Sequence, residues 1–236
     1  MKLKGFRVFC TYSARGPRTS ALHFGAMSKY LNVGTPFLRA LLFAVGLAIA
    51  ACGSPTPKLP KLASTDVVLA FGDSLTYGTG AAPTESYPVV LSQLIGRQVV
   101  AAGFPGEVTA GGLERLPEVL DEVKPRIMLL CMGGNDMLRG TGYAGAEANL
   151  RAMIRLAGER GIAVVLIAVP QPALFSGNAP FYEVIARDQR LPLEASVLKG
   201  LMYDNDYKSD PIHPNARGYR KMAEAIAELL RDAGAV

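Results

Sequence analysis

From residue 67 onward the chain alternates short, mainly apolar runs with stretches whose apolar residues recur every three or four positions. The runs lie at 67–71, 98–102, 127–132 and 163–169. A strand that is apolar on both of its alternating faces is covered on both, which is the pattern of a parallel sheet between helices. The intervening stretches predict helices. Residues 87–94 place Val90, Leu91 and Leu94 on one side, and 113–123 do the same with Leu113, Leu116, Val119, Leu120 and Val123. Residues 144–157 and 181–190 follow, and 214–232 turns Tyr219, Met222, Ala223, Ile226, Leu229 and Leu230 inward. The alternation predicts an α/β fold, a three-layer α/β/α sandwich around a mainly parallel sheet, over residues 66–236.

In such folds ligands sit beyond the carboxyl ends of the strands. The polar residues that follow strands are therefore the ones to inspect. They are Gly72-Asp73-Ser74 after the first run, residues 103–106 after the second, and Gly133-Gly134-Asn135-Asp136 after the third.

The chain has two histidines, His23 near its start and His213 near its end. Neutral imidazole is the usual base for a serine nucleophile at neutral pH. Asp210 precedes His213 by three residues, a spacing from which a carboxylate reaches Nδ1 within a turn, and Pro211 and Pro214 restrict the backbone on either side. The same Asp-x-x-His also suits a surface turn capping the last helix. Ser74 follows a strand directly, where it can present its hydroxyl as a nucleophile and its N–H to an oxyanion, or serve as a plain N-cap. Gly106 offers a backbone N–H and Asn135 a side-chain amide, the donors an oxyanion hole needs. Each equally fits a turn, Pro105-Gly106 or an Asx turn.

Taken together these blocks resemble the GDSL/SGNH hydrolase superfamily. Gly72-Asp73-Ser74-Leu75 matches its nucleophile block, Gly106 its glycine block, Gly133-Gly134-Asn135-Asp136 its asparagine block, and Asp210 to His213 its acid–base block. The resemblance implies a flavodoxin-like SGNH fold. It implies a catalytic Ser74, Asp210 and His213, and an oxyanion hole from Ser74, Gly106 and Asn135. The chain is most similar to the bacterial thioesterase I, arylesterase and lysophospholipase branch, in which Met137-Leu138-Arg139-Gly140 resembles a mobile loop beside the acyl site. That branch often reads N-A-G-x-S-G-[DE]-T at the glycine block. Here Ala101, Pro105 and Val108 stand where it has Asn, Ser and Thr, so the hydrogen bonds supporting the loop are altered.

The resemblance implies hydrolysis of acyl esters or thioesters through an acyl-enzyme, with no cofactor and no metal. An envelope polysaccharide deacetylase or acyltransferase would use the same residues. A non-catalytic envelope lipoprotein is disfavoured by five intact positions. A metal site on Asp73, Asp136, Asp210 and His213 lacks a second ligand cluster. No nucleotide-binding glycine motif follows the first strand.

The start of the chain is of another kind. Residues 1–51 contain seven Lys and Arg and no Asp or Glu. The whole chain carries +5, yet from Cys52 onward 18 basic residues face 20 acidic ones. The basic excess belongs to this leader and signals no nucleic-acid partner. Residues 40–51 form an apolar run shorter than the roughly 20 residues that span a bilayer, and Arg39 precedes it. This is the core of a signal peptide, about 27–51, for which Met27 is a better start than Met1. The run ends Ile49-Ala50-Ala51-Cys52, which resembles the bacterial lipobox; the alternative is a short buried helix ending in Cys. The resemblance implies lipid attachment at Cys52 and anchoring to an envelope membrane facing the periplasm. Gly53 in place of the Asp of inner-membrane retention favours the outer membrane. Residues 53–65 carry three prolines, Pro55, Pro57 and Pro60, and read with Cys52 as anchor and linker. Of the three cysteines only Cys131 lies within the predicted domain, where it reads as a small core residue.

Overall fold

The structure, a computed structural model, describes residues 56–172 and 177–236. The expected leader, Cys52 and the first linker residues lie outside the described residues. Five strands form one sheet in the order β2-β1-β3-β4-β5, every neighbouring pair parallel. They are β1 (Val67–Gly72), β2 (Gln98–Gly103), β3 (Ile127–Cys131), β4 (Ala163–Ile167) and β5 (Leu193–Glu194). Every residue of β3 is buried, as a strand with helices on both faces must be. The α/β sandwich expected from the apolar runs is the fold observed.

The helices are α1 (Ser74–Tyr77), α2 (Tyr87–Ile95), α3 (Thr109–Val123), α4 (Gly134–Arg139), α5 (Tyr143–Glu159), α6 (Phe181–Gln189), α7 (Val197–Tyr203) and α8 (Ala216–Asp232). They pack chiefly in two pairs, α2 with α8 and α3 with α5. The apolar face of α8 buries Tyr219, Met222, Ala223, Ile226 and Leu230 as expected, with Leu229 half-buried at its edge. Among the described residues no helix is long and apolar enough to cross a membrane.

Register positions the site. Gly72, the last residue of β1, pairs with Gly103 of β2 and with Cys131 of β3. Three strands thus end level, and the polar segments that follow them emerge side by side.

Three features depart from the sequence reading. Helix α3 starts at Thr109, a turn before its apolar periodicity begins, because the Asp136 carboxylate caps it. Asp136 accepts from the Thr109 N–H at 2.9 Å and from its hydroxyl at 2.7 Å. The short β5 and α7 carry no sequence pattern; Glu194 caps α7 by accepting from the N–H groups of Ser196 and Val197, both at 2.8 Å. The linker expected over 52–65 is not free throughout. Leu59 and Leu62 donate their N–H groups to the carbonyls of Ala233 and Ala235 at 3.0 and 2.8 Å, and the Leu62 side chain is buried. Two leucines within a proline-punctuated segment supply the apolar anchors that hold it to the chain's end.

Candidate active site

The β1–α1 junction is sterically tight. A Cβ on Gly72 would lie 2.2 Å from the Thr76 hydroxyl oxygen and 2.4 Å from the Cys131 carbonyl oxygen, so only glycine fits between the strand and the turn. Asp73 caps α1, its Oδ1 accepting from the Leu75 N–H at 3.0 Å. Ser74 is therefore not the cap. It is the first helical residue, a position whose N–H has no partner within the helix. Asp73 is fully buried, and burial raises its pKa from 3.8 to about 6, against the lowering effects of the Leu75 N–H and of the His213 charge.

His213 is delivered by a tight loop ahead of α8. The loop closes with Lys208 bridging Pro214 and with the Ser209 N–H donating to the His213 carbonyl at 3.0 Å. Asn215 caps α8 by accepting from the Gly218 N–H, and its amide donates to the carbonyls of Asp206 and Lys208. Tyr219 reaches from α8 to the Thr79 carbonyl at 2.8 Å, tying this segment to the one after Ser74.

Within the loop Asp210 performs two tasks. Its Oδ1 accepts from the N–H groups of Ile212 and His213, both at 2.9 Å, and its Oδ2 lies 2.7 Å from His213 Nδ1. Partial burial pushes its pKa up, but the His213 ring and the two N–H groups outweigh this and hold it below the ordinary value. On the other side of the ring, Nε2 lies 3.0 Å from Ser74 Oγ. Asp210, His213 and Ser74 form one continuous hydrogen-bonded row.

The remaining candidates meet beside Ser74. Residues 104–107 make a turn in which the Glu107 N–H donates to the Phe104 carbonyl at 3.1 Å, with Pro105 and Gly106 at its corners. Gly106 has φ +78, the left-handed value this turn needs at its third position. The turn's own hydrogen bond uses Glu107, not the Gly106 N–H. Asn135, in α4, donates its amide to Asp73 Oδ2 at 3.2 Å and to the Glu107 carbonyl at 3.0 Å. Asp136, its neighbour, is committed to Thr109. Among the described residues no three His, Cys, Asp or Glu side chains gather as a metal site.

A cavity of about 590 Å³ opens beside the row, lined by Ser74, Asn135 and His213 and walled by Leu75, Leu138, Val169, Leu198, Met202 and Ile212. Residues 137–140, similar to a loop in the sequence comparison, are helical through Arg139 and end at Gly140. Leu138 faces the cavity, and Arg139 donates to the Gly106 carbonyl at 2.7 Å. The sequence reading missed the α7 wall, Leu198 and Met202, because no motif marks that helix. It also missed Arg115. That side chain holds Glu107 through bonds of 2.8, 3.0 and 2.8 Å and donates to the carbonyls of Gly72 and Ala102 at 3.1 and 3.0 Å.

The chain is similar to known proteins over most of its length. The GDSL-like Lipase/Acylhydrolase family matches residues 70–221. Esterase TesA of Pseudomonas aeruginosa is 27% identical over 205 residues, covering 82% of this chain and 98% of that protein. The arylesterase of Vibrio mimicus is 28% identical over 178 residues, 71% of this chain and 89% of the relative. The Escherichia coli K12 protein named thioesterase 1/protease 1/lysophospholipase L1 is 27% identical, covering 72% and 86%. Among solved structures, TesA superposes with a TM-score of 0.65 over 71% of this chain and 99% of the other. AlinE4, an SGNH-hydrolase family esterase, superposes with a TM-score of 0.58 at 30% identity, over 73% and 98%.

Proposed function

The chain belongs to the GDSL-like lipase/acylhydrolase family and is an esterase-type hydrolase, and on that premise we propose that it cleaves acyl esters and thioesters through an acyl-enzyme on Ser74. One observation carries this reading: His213 bridges Ser74 Oγ and Asp210 Oδ2 at the edge of an apolar cavity. Ser74 Oγ attacks the acyl carbonyl while His213 Nε2 takes its proton. Asp210 holds the Nδ1–H tautomer and faces the imidazolium that results. The N–H groups of Ser74 and Gly106 and the amide of Asn135 receive the oxyanion. The Asn135 amide exchanges a resting acceptor for the oxyanion, so that this bond is made only as the tetrahedral species forms. His213 returns the proton to the departing alcohol or thiol. Water then attacks the acyl-enzyme and gives its proton to His213, which passes it to the departing Ser74 Oγ as the acid is released. The apolar walls favour an acyl chain over a sugar as the group held beside Ser74.

The test is a panel of p-nitrophenyl esters and acyl-CoAs of graded chain length, with an acetylated polysaccharide alongside, run on wild type and Ser74→Ala. Ser74→Ala should lose hydrolysis and labelling by a serine-directed phosphonate while its melting is unchanged. Activity within a few-fold of wild type in the pure variant would end the serine mechanism. Turnover of the polysaccharide alone would move the substrate to acetylated sugars.

We further propose that Cys52 carries lipid and holds the domain to a bacterial envelope membrane, with residues before it removed as a signal peptide. Support comes from the small-residue run into Cys52 and from the basic and apolar leader before it.

A further inference from the structure

We propose that Arg115 is a positioning residue for this reaction, aligning both main-chain donors of the oxyanion site through one guanidinium group. The inference rests on the reading that the Ser74 and Gly106 N–H groups receive the oxyanion. Arg115 sits on α3, outside every block that the sequence comparison singled out, and does not line the cavity. Its guanidinium stacks over the Phe71 ring with Cζ 4.0 Å from the centroid. From there Nη2 donates to the Gly72 carbonyl at 3.1 Å and to the Ala102 carbonyl at 3.0 Å, in the fork where β1 and β2 end. The same group grips Glu107, whose side chain is 10% exposed.

These acceptors belong to the two segments that must keep register. Gly72 is two residues before Ser74, Ala102 four before Gly106, and Glu107 directly after it. The glycine loop has little of its own to hold it. Ala101, Pro105 and Val108 have no side-chain hydrogen-bonding group, and Pro105 has no N–H either. Beyond the Phe104 N–H, which donates to the Gly72 carbonyl at 3.0 Å, the loop is anchored from elsewhere: Arg115 on Glu107, Arg139 on the Gly106 carbonyl, and Asn135 on the Glu107 carbonyl. Asn135 and Arg115 each span both segments, but Asn135 must release an acceptor to meet the oxyanion, whereas Arg115 lies outside the cavity and keeps all its bonds. A planar, multiply donating guanidinium makes these contacts together, whereas an ammonium group acts as a point charge. The mechanism needs that alignment, because a displacement of about 1 Å at a reacting centre costs on the order of 100-fold in rate.

The experiment compares wild type, R115Q, R115K and the exposed control R155Q by kcat, KM, melting temperature and rate of phosphonate labelling. R115Q should lower kcat about 30- to 100-fold with KM within about three-fold, and slow labelling in proportion. R115K should stay below about a tenth of wild-type kcat despite keeping the charge. Adding E107Q to R115Q should cost little more, since the pair acts as a unit. R155Q should match wild type. Should R115Q fail to fold, R115K carries the test on the same criterion. A folded R115Q with kcat within two-fold of wild type overturns the proposal; so does a loss confined to KM, or an R115K equal to wild type. Absence of wild-type labelling at Ser74 would instead remove the acyl-enzyme reading beneath it.

Discussion

Asp73 is where folding and chemistry pull apart, and removing its charge should stabilise the protein. Its carboxyl is fully buried, and its pKa is raised from 3.8 to about 6. An acid with a raised native pKa binds more protons folded than unfolded, so its contribution is fully present below pH 3.8 and is lost as pH rises through about 6. At 1.36 kcal/mol per pH unit, holding it ionised costs the native state about 3 kcal/mol at pH 8, whereas at pH 4 the folded carboxyl is protonated and the cost is under about 1 kcal/mol. Asp73→Asn removes that titration. Asparagine still caps α1, because its oxygen can accept from Leu75, but its amide meets the Asn135 amide and forfeits a bond worth about 1–2 kcal/mol. The variant should therefore be about 1–2 kcal/mol more stable than wild type at pH 8 and less stable at pH 4. The swing between the two is about 2–3 kcal/mol, or roughly 5–10 °C in melting temperature for a domain this size. Urea unfolding of both proteins at pH 4, 6 and 8 measures it, with titrations remote from Asp73 cancelling in the difference. Activity should fall in the same variant, since Asn135 loses the carboxylate that aims its amide. A stability difference flat to about 0.5 kcal/mol across the three pH values would refute the reasoning.

Asp210→Asn sets an amide against Nδ1 and drives the ring to the tautomer that carries its hydrogen on Nε2, facing Ser74 as a donor. Because Asp210 is 42% exposed and water can partly replace it, kcat should drop at least about 100-fold rather than by the full 10⁴ of a buried triad aspartate, with KM little changed; a loss under three-fold would contradict the assignment. Cys52→Ser should abolish labelled-palmitate incorporation and release the protein from membranes that hold the wild type through a high-salt wash. An unmodified N-terminus other than Cys52, found by intact mass on protein from the native host, would refute the anchor.

Strands β1, β3 and β4 were legible because each is apolar on both faces, which a covered parallel sheet makes use of. Edge strand β2 was legible because its run is mainly apolar; the two-residue β5 was not legible. Ser74, Asn135 and the Asp210–His213 pair were legible because they fall directly after strands or within a fixed three-residue spacing. Two of the competing structural readings proved compatible with the site, while the reading of Ser74 as an N-cap fell to Asp73. Asp210 forms the surface turn and orients the ring with its two oxygens, and the Pro105-Gly106 turn exists in the same loop that holds Gly106. What stayed hidden depends on partners distant in sequence. The start of α3 is capped by Asp136 from another segment, and Arg115 addresses two backbone carbonyls that no residue type announces. The docking of residues 58–62 was hidden for the same reason, its acceptors being the carbonyls of Ala233 and Ala235.

The two ends of the sheet carry different burdens, and this bears on how an anchored domain would work. The carboxyl end concentrates the groups that cost stability: the buried Asp73 carboxylate, the crowded Gly72 and the left-handed Gly106. The opposite end has apolar contacts and main-chain hydrogen bonds, where Leu59 and Leu62 lie along Ala233 and Ala235. Helix α8 joins the two, beginning just after His213 and ending beside Leu59. Its 17 residues at 1.5 Å each separate them by about 25 Å. A lipid on Cys52 would load the end that bears no chemistry.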